Sequence, residues 1–174
     1  QVESFASADD FLRKYQPERP GCLVLDVRMP GMSGLDLQDY LVEHDIRVPV
    51  VIITGHGDVP MAVRAMKSGA IDFIEKPFND EVLLDAIRRA IAFAEQQRSH
   101  DSEHLQIQQR IASLTPREHE VMEMVTDGKS NKEIANTLGV SAKTIEAHRA
   151  RVMEKMQAGS LAELVRMALS VADS

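Results

Sequence analysis

Three short apolar runs, each closed by a side chain that can do chemistry, constrain this chain more than any other feature. Gly21–Asp26, Val48–Thr54 and Ile71–Glu75 are rich in Val, Ile and Leu, and the last is followed at once by Lys76-Pro77. Runs of this length and composition, bounded by turn formers, read as buried strands. Helix signals lie between them. Ser7 is placed to cap a helix through about Tyr15, with Asp9 and Asp10 in the first turn, where the dipole favours anions. Ser33 caps a second, to about His44, carrying Leu35, Leu37 and Leu41, and a third covers Val59–Lys67 before Gly69. Val2–Phe5 reads as one more short strand. Strands alternating with helices predict an α/β fold with a doubly wound parallel sheet. In such sheets sites form beyond the C-terminal ends of the strands. Asp26, Thr54 and Lys76 would all stand on that edge.

Composition narrows the function. At 174 residues the chain holds one large domain or two small ones, and 44% hydrophobic residues argue against disorder over most of it. It has neither a bilayer-length apolar run nor a signal peptide, so a cytoplasmic protein without a membrane partner is expected. Cys22, inside an apolar run, reads as a core thiol in a reducing compartment. A net charge of −7 looks wrong for a nucleic-acid binder. The acid is unevenly spread, however. Residues 1–94 carry 10 Lys and Arg against 15 Asp and Glu, while residues 114–174 carry 8 against 9. The second part is close to neutral, and bulk charge does not exclude DNA there.

The pattern changes along the chain. A long helix should begin after Asn79. From Phe93 to Ala112 the sequence is rich in Gln and charge, without Pro or Gly, and reads as a helical linker over 95–113. Ile87, Ile91, Ala94, Leu105 and Ile111 could form a coiled-coil seam, though Arg98 and Asp101 interrupt it. Three capping boxes follow: Thr115 with Glu118, Ser130 with Glu133 and Ser160 with Glu163. Ser141 caps one more helix, giving helices near 116–127, 131–138, 142–157 and 161–171. The middle two are separated only by Gly139-Val140-Ser141, the spacing of a helix-turn-helix. On the later helix Ile145, Val152 and Met156 share an inward face, with His148 and Arg149 at its margins. Lys143, Glu146, Ala147, Ala150 and Arg151 lie opposite, where small and polar residues could enter a major groove. Thr144 completes the candidate DNA-facing set, and Lys132 and Arg149 are candidate phosphate contacts.

These residues carry a resemblance. Residues 1–94 resemble a response-regulator receiver domain and 114–174 a LuxR-type helix-turn-helix. The run Ile53-Thr54-Gly55-His56-Gly57-Asp58-Val59-Pro60 and the segments His148-Arg149-Ala150 and Leu164-Val165-Arg166-Met167-Ala168-Leu169 are similar to FixJ-type two-component regulators. The resemblance implies a flavodoxin-like receiver joined to a four-helix DNA-binding domain. It implies that Asp26 accepts a phosphoryl group from a sensor histidine kinase and that Thr54 is a switch hydroxyl. Phe73 would be a rotating aromatic, and Lys76 the cation that pairs with the phosphoryl group. Asp26 and the backbone carbonyl of Arg28 would help hold Mg²⁺. The implied output is a homodimer formed on phosphorylation that binds promoter double-stranded DNA and engages RNA polymerase, so the chain would be a regulator, not an enzyme.

The roles make physical sense. Phosphoryl transfer needs an acceptor in line and positive charge on the transferred oxygens. Each residue alone also has a plainer reading: Asp26 as a turn former, Phe73 as core, Lys76, Lys143 and Arg151 as solvated charges. Their joint spacing favours the site. A haloacid-dehalogenase-like phosphohydrolase would need an acid two positions after Asp26, where Arg28 stands. A DNA-binding regulator whose receiver only dimerises is the alternative. The family's sheet has strand order 2-1-3-4-5 and draws a metal-binding acidic pair from the end of its central first strand. This chain opens on what reads as the second strand, and Asp9-Asp10 follows a helix cap. The expectation is therefore that the first strand, first helix and metal-binding acids are absent here.

Overall fold

The computed structural model describes residues 2–17 and 19–172. The chain divides into two compact units, Gln1–Arg98 and Ser99–Ser174. In the first unit the order is α1 (Ala8–Lys14), β1 (Leu23–Asp26), α2 (Gly34–Glu43), β2 (Val50–Thr54), α3 (Val59–Lys67) and β3 (Asp72–Glu75). α4 (Asp80–Ala112) starts in this unit and runs on into the second.

The predicted alternation is present. Among the described residues the sheet has three parallel strands in the order β1-β2-β3. Asp26 lies opposite Ile53, and Thr54 opposite Glu75. Val51 and Ile52 are both fully buried, one on each face, as expected of a parallel sheet covered on both sides. Leu25 and Ile52 pack with Ala8 and Phe11 of α1, Leu35, Leu37 and Leu41 of α2 and Ala65 of α3. Val51 and Ile74 pack against Ala86 and Ala90 of α4, small residues that let the helix lie close to the strands.

Ser7, Ser33 and Asp58 accept from the N–H three residues on and so start α1, α2 and α3, which satisfies donors the helix itself leaves orphaned. One expectation needs correction. Val2–Phe5 is not a strand, because a strand requires a neighbouring backbone and β1 is hydrogen-bonded only to β2. Phe5 instead meets Phe11 edge-on, ring centroids 5.4 Å apart. Ala86, Ala90 and Ile107 are buried in intramolecular cores, while Ile91 and Leu105 are 37% and 55% exposed. The Lys76-Pro77 peptide bond is cis.

The second unit contains α5 (Pro116–Thr126), α6 (Asn131–Leu138), α7 (Ala142–Met156) and α8 (Leu161–Ala172). Val121, Ile134, Ile145, Val152, Met156 and Leu164 form its core, with Ile107 from the end of α4. The capping boxes at Thr115 and Ser130 are complete. The third is not: Ser160 accepts from the Glu163 N–H, but the Glu163 carboxylate takes the Gly159 N–H. Gly139 ends α6 at φ +66°, a left-handed position that only glycine adopts without strain, and so makes the tight turn into α7. Cations hold the joints. Arg117 donates to the Leu138 carbonyl at 2.8 Å and Arg110 to that of Met156 at 3.2 Å, where helix ends favour positive charge.

Candidate functional site

The C-terminal edge of the sheet assembles as expected, for a local reason at each strand. Asp26 ends β1. Its backbone is pressed by Gly34, the first residue of α2, whose N–H donates to the Val27 carbonyl at 3.1 Å. A Cβ on Gly34 would collide with the Asp26 carbonyl and stand 3.2 Å from the Val27 Cα, so only glycine allows α2 to start this close. The Asp26 carboxylate accepts the Arg28 N–H at 2.9 Å through Oδ1, a short Asx-type turn. Its Oδ2 accepts from Lys76 Nζ at 2.7 Å, across fifty positions of sequence. The Asp26 side chain is 33% exposed and that of Lys76 41%, so the pair is open to solvent. Partial burial works against the charge on Asp26. The hydrogen bonds from Lys76 and Arg28 and their positive charges outweigh it and hold the carboxyl below its usual range.

Thr54 ends β2 and is fully buried. Its hydroxyl donates to the His56 carbonyl and accepts the His56 N–H, both at 3.3 Å. It is turned onto its own loop. Phe73 lies in β3 beside Ile52, half-buried against the first core. Lys76 follows β3, and its N–H donates to the Thr54 carbonyl at 2.7 Å. The acid and the ammonium are therefore in contact, while the Thr54 hydroxyl is engaged with His56.

Sequence reasoning missed three parts of this neighbourhood. One is Gly34. A second is Glu75, whose carboxylate accepts the Gly57 N–H at 3.2 Å. The third is a tie between α2 and α3: Arg64 donates to Asp36 at 2.7 Å and to Asp39 at 2.6 Å, and Ser68 donates to Asp39 at 2.7 Å. Buried Gln38 adds bonds to the carbonyls of Ala65 and Ser68. These partners lie 25 to 30 positions apart, beyond any helix spacing. Only a glycine placed between a strand end and a helix start could have signalled the first.

Receiver domains bind Mg²⁺. Among the described residues no three His, Cys, Asp or Glu side chains come together as a metal site. Asp10 is engaged with Lys14 on α1. Asp26 is a single carboxylate whose oxygens already accept from Arg28 and Lys76, and one carboxylate seldom retains so strongly hydrated an ion. The described residues do not build that site.

On α7, Ile145, Val152 and Met156 are buried, and Lys143, Thr144, Glu146, Ala147, Ala150 and Arg151 are exposed along the other side. Lys132 is exposed on α6. Arg149 is half-buried and donates to Asn131 Oδ1 at 2.8 Å, which locks α7 against α6. His148 turns its Nδ1 inward without a hydrogen-bond partner.

Residues 1–88 match the response regulator receiver domain family, and residues 112–168 match the luxR family of bacterial regulatory proteins. The chain is 46% identical over 167 residues to nodulation protein W of Bradyrhizobium diazoefficiens, covering 96% of this chain and 74% of that protein. It is 48% identical over 169 residues to the transcriptional regulatory protein FixJ of Rhizobium meliloti, covering 97% and 83%. Among solved structures it resembles the response regulator StyR, with a TM-score of 0.85, 45% identity and coverage of 97% and 85%. With a receiver fold, an acid paired to a lysine on its site edge, and a helix-turn-helix behind it, the chain belongs to the FixJ-type two-component response regulators, which join a receiver domain to a LuxR-type DNA-binding domain.

Proposed function

We propose that residues 1–94 form a receiver that accepts a phosphoryl group on Asp26, and that residues 114–174, joined by the helical linker 95–113, turn that event into transcription control. The observation that carries this is the Asp26–Lys76 pair, 2.7 Å apart and open to solvent at the strand ends. A carboxylate oxygen attacks the phosphorus of a kinase phosphohistidine, the P–N bond breaks, and an acyl phosphate forms. Lys76 then faces phosphoryl oxygens in place of a carboxylate. Their added charge and acceptors draw the Thr54 hydroxyl from His56, and Phe73 turns into the space it leaves.

The consequence is a changed surface on α3. Val59, Val63 and Met66 lie along one side of that helix and are 76%, 46% and 49% exposed. Such a stripe supports a homodimer made on phosphorylation. Dimerisation places two α7 helices on a two-half-site promoter and presents the regulator to RNA polymerase in the cytoplasm. No described helix is long and apolar enough to cross a membrane. Lys143 and Arg151 reach base edges, with Thr144, Glu146, Ala147 and Ala150 beside them, while Lys132 and Arg149 meet phosphates. Radiolabel from a small acyl phosphate tests the acceptor: it should label the regulator, and Asp26→Asn should not be labelled.

A second reading, a DNA-binding regulator whose receiver only dimerises, draws on the absence of a three-ligand metal site among the described residues. It expects Asp26→Asn to dimerise and activate as the parent does.

A further inference from the structure

We infer that Gly57 is a positioning residue for the Phe73 ring, and that it acts by lacking a side chain. The inference deepens the switch reading of Thr54 and Phe73 and rests on it. Gly57 does not need to be glycine for its backbone. Its φ lies outside the left-handed range, whereas Gly31 and Gly69 sit at +79° and +83°. It needs room. A Cβ on Gly57 would stand 3.1 Å from Phe73 Cε1, 3.4 Å from Phe73 Cζ and 3.3 Å from Thr54 Cγ2. Carbon atoms are comfortable at about 3.5–4.0 Å, so the ring edge and the threonine methyl both rest against this bare backbone.

The seat has little freedom to retreat. The Gly57 N–H is held by Glu75 Oε1 at 3.2 Å, one residue before Lys76. The preceding residue, His56, is held through both its N–H and carbonyl by the Thr54 hydroxyl. Thr54, Phe73 and Glu75 therefore converge on one residue. When the hydroxyl leaves His56, the loop and the methyl move together and the ring loses its rest. A methyl group at position 57 should evict the ring in the same way with no phosphoryl group present.

The test places 4-fluorophenylalanine at position 73 and records ¹⁹F spectra without phosphodonor. Gly57→Ala should shift or split the resonance while far-UV circular dichroism stays unchanged. Glu75→Ala, an exposed site that only loosens the tether, should move it in the same sense by less. The same Gly57→Ala exchange should raise the phosphodonor-independent dimer fraction several-fold, and Phe73→Ala should cancel that rise. Resonances unmoved in both Gly57→Ala and Glu75→Ala overturn the inference, as does a dimer rise that survives Phe73→Ala. If Gly57→Ala moves the ring but phosphorylation of the parent does not, Gly57 still positions the ring and the switch reading fails.

Discussion

Each unit contains a lysine–carboxylate pair 2.7 Å long, and the two are built for opposite ends. Asp26–Lys76 lies on a sheet edge with side chains 33% and 41% exposed. Glu118–Lys155 lies between α5 and α7 with the acid side chain only 4% exposed. Glu118 also accepts the Thr115 N–H at 2.9 Å, so one carboxylate caps a helix and ties two helices together. Lys155 adds a bond to the Ser113 carbonyl at 3.1 Å. Every donor around Glu118 is a permanent part of the fold. Around Asp26, on the proposed function, the ammonium exchanges a carboxylate for a phosphoryl group without exposing a buried charge. Equal distance thus says little; exposure separates the pair proposed to react from the clamp.

Removing each acid should break the symmetry most sharply. Asp26→Asn should abolish labelling by a phosphodonor and leave both thermal transitions in place. Glu118→Gln should leave labelling intact and lower the midpoint of the helical unit. Labelling lost in Glu118→Gln would show that the two regions are not separable in this way.

Next in size is the core beneath the DNA-facing helix. Ile145 is fully buried, and Ile145→Ala should cost about 2–5 kcal/mol by chemical denaturation of the helical unit. Exposed Glu146, one position on, should change stability little when replaced by Ala. Equal losses would mean that the two faces of α7 are misassigned.

Acid should distinguish the pairs as well. The hydrogen bonds from Lys155 and from the Thr115 N–H hold the Glu118 carboxyl at about 2, against an ordinary 4.5. A carboxyl depressed by folding stabilises fully above its unfolded value, and that contribution fades as pH falls from 4.5 toward about 2. Unfolding of the helical unit should steepen over that window, and Glu118→Gln should flatten the profile. Asp26 is lowered too, but there desolvation, which opposes the shift, is the largest single influence and the site is more exposed, so its acid dependence should be shallower. A profile indifferent to Glu118→Gln would remove the clamp from the comparison.

The smallest effect belongs to the exposed cation on α6. Lys132→Ala should weaken DNA binding alike for all sequences and reduce the salt slope by roughly one unit. Loss of sequence preference at an unchanged slope would move Lys132 from phosphate to base contact.

Much of this was present in the residue order alone, because the forces involved are short-ranged. Apolar runs of strand length between capped helices specify a parallel α/β sheet, and they put Asp26, Thr54 and Lys76 on one edge whatever the details of packing. Ser7, Ser33, Thr115, Ser130 and Ser141 start helices where their own next turn offers donors. Gly139-Val140-Ser141 makes a helix-turn-helix because three residues allow little else. Tertiary structure decided whatever depends on a partner far along the chain. Val2–Phe5 has strand-like residues but no neighbouring backbone to pair with. Arg149, a candidate phosphate contact, also binds Asn131, eighteen positions away. Glu118 finds Lys155 thirty-seven positions on, and Arg64 finds Asp39 twenty-five positions back. The Thr54 hydroxyl faces His56, and Gly57 is bare because a ring from β3 rests against it. Side-chain periodicity places a residue on a face, but only the packed fold determines which atoms come within reach of one another.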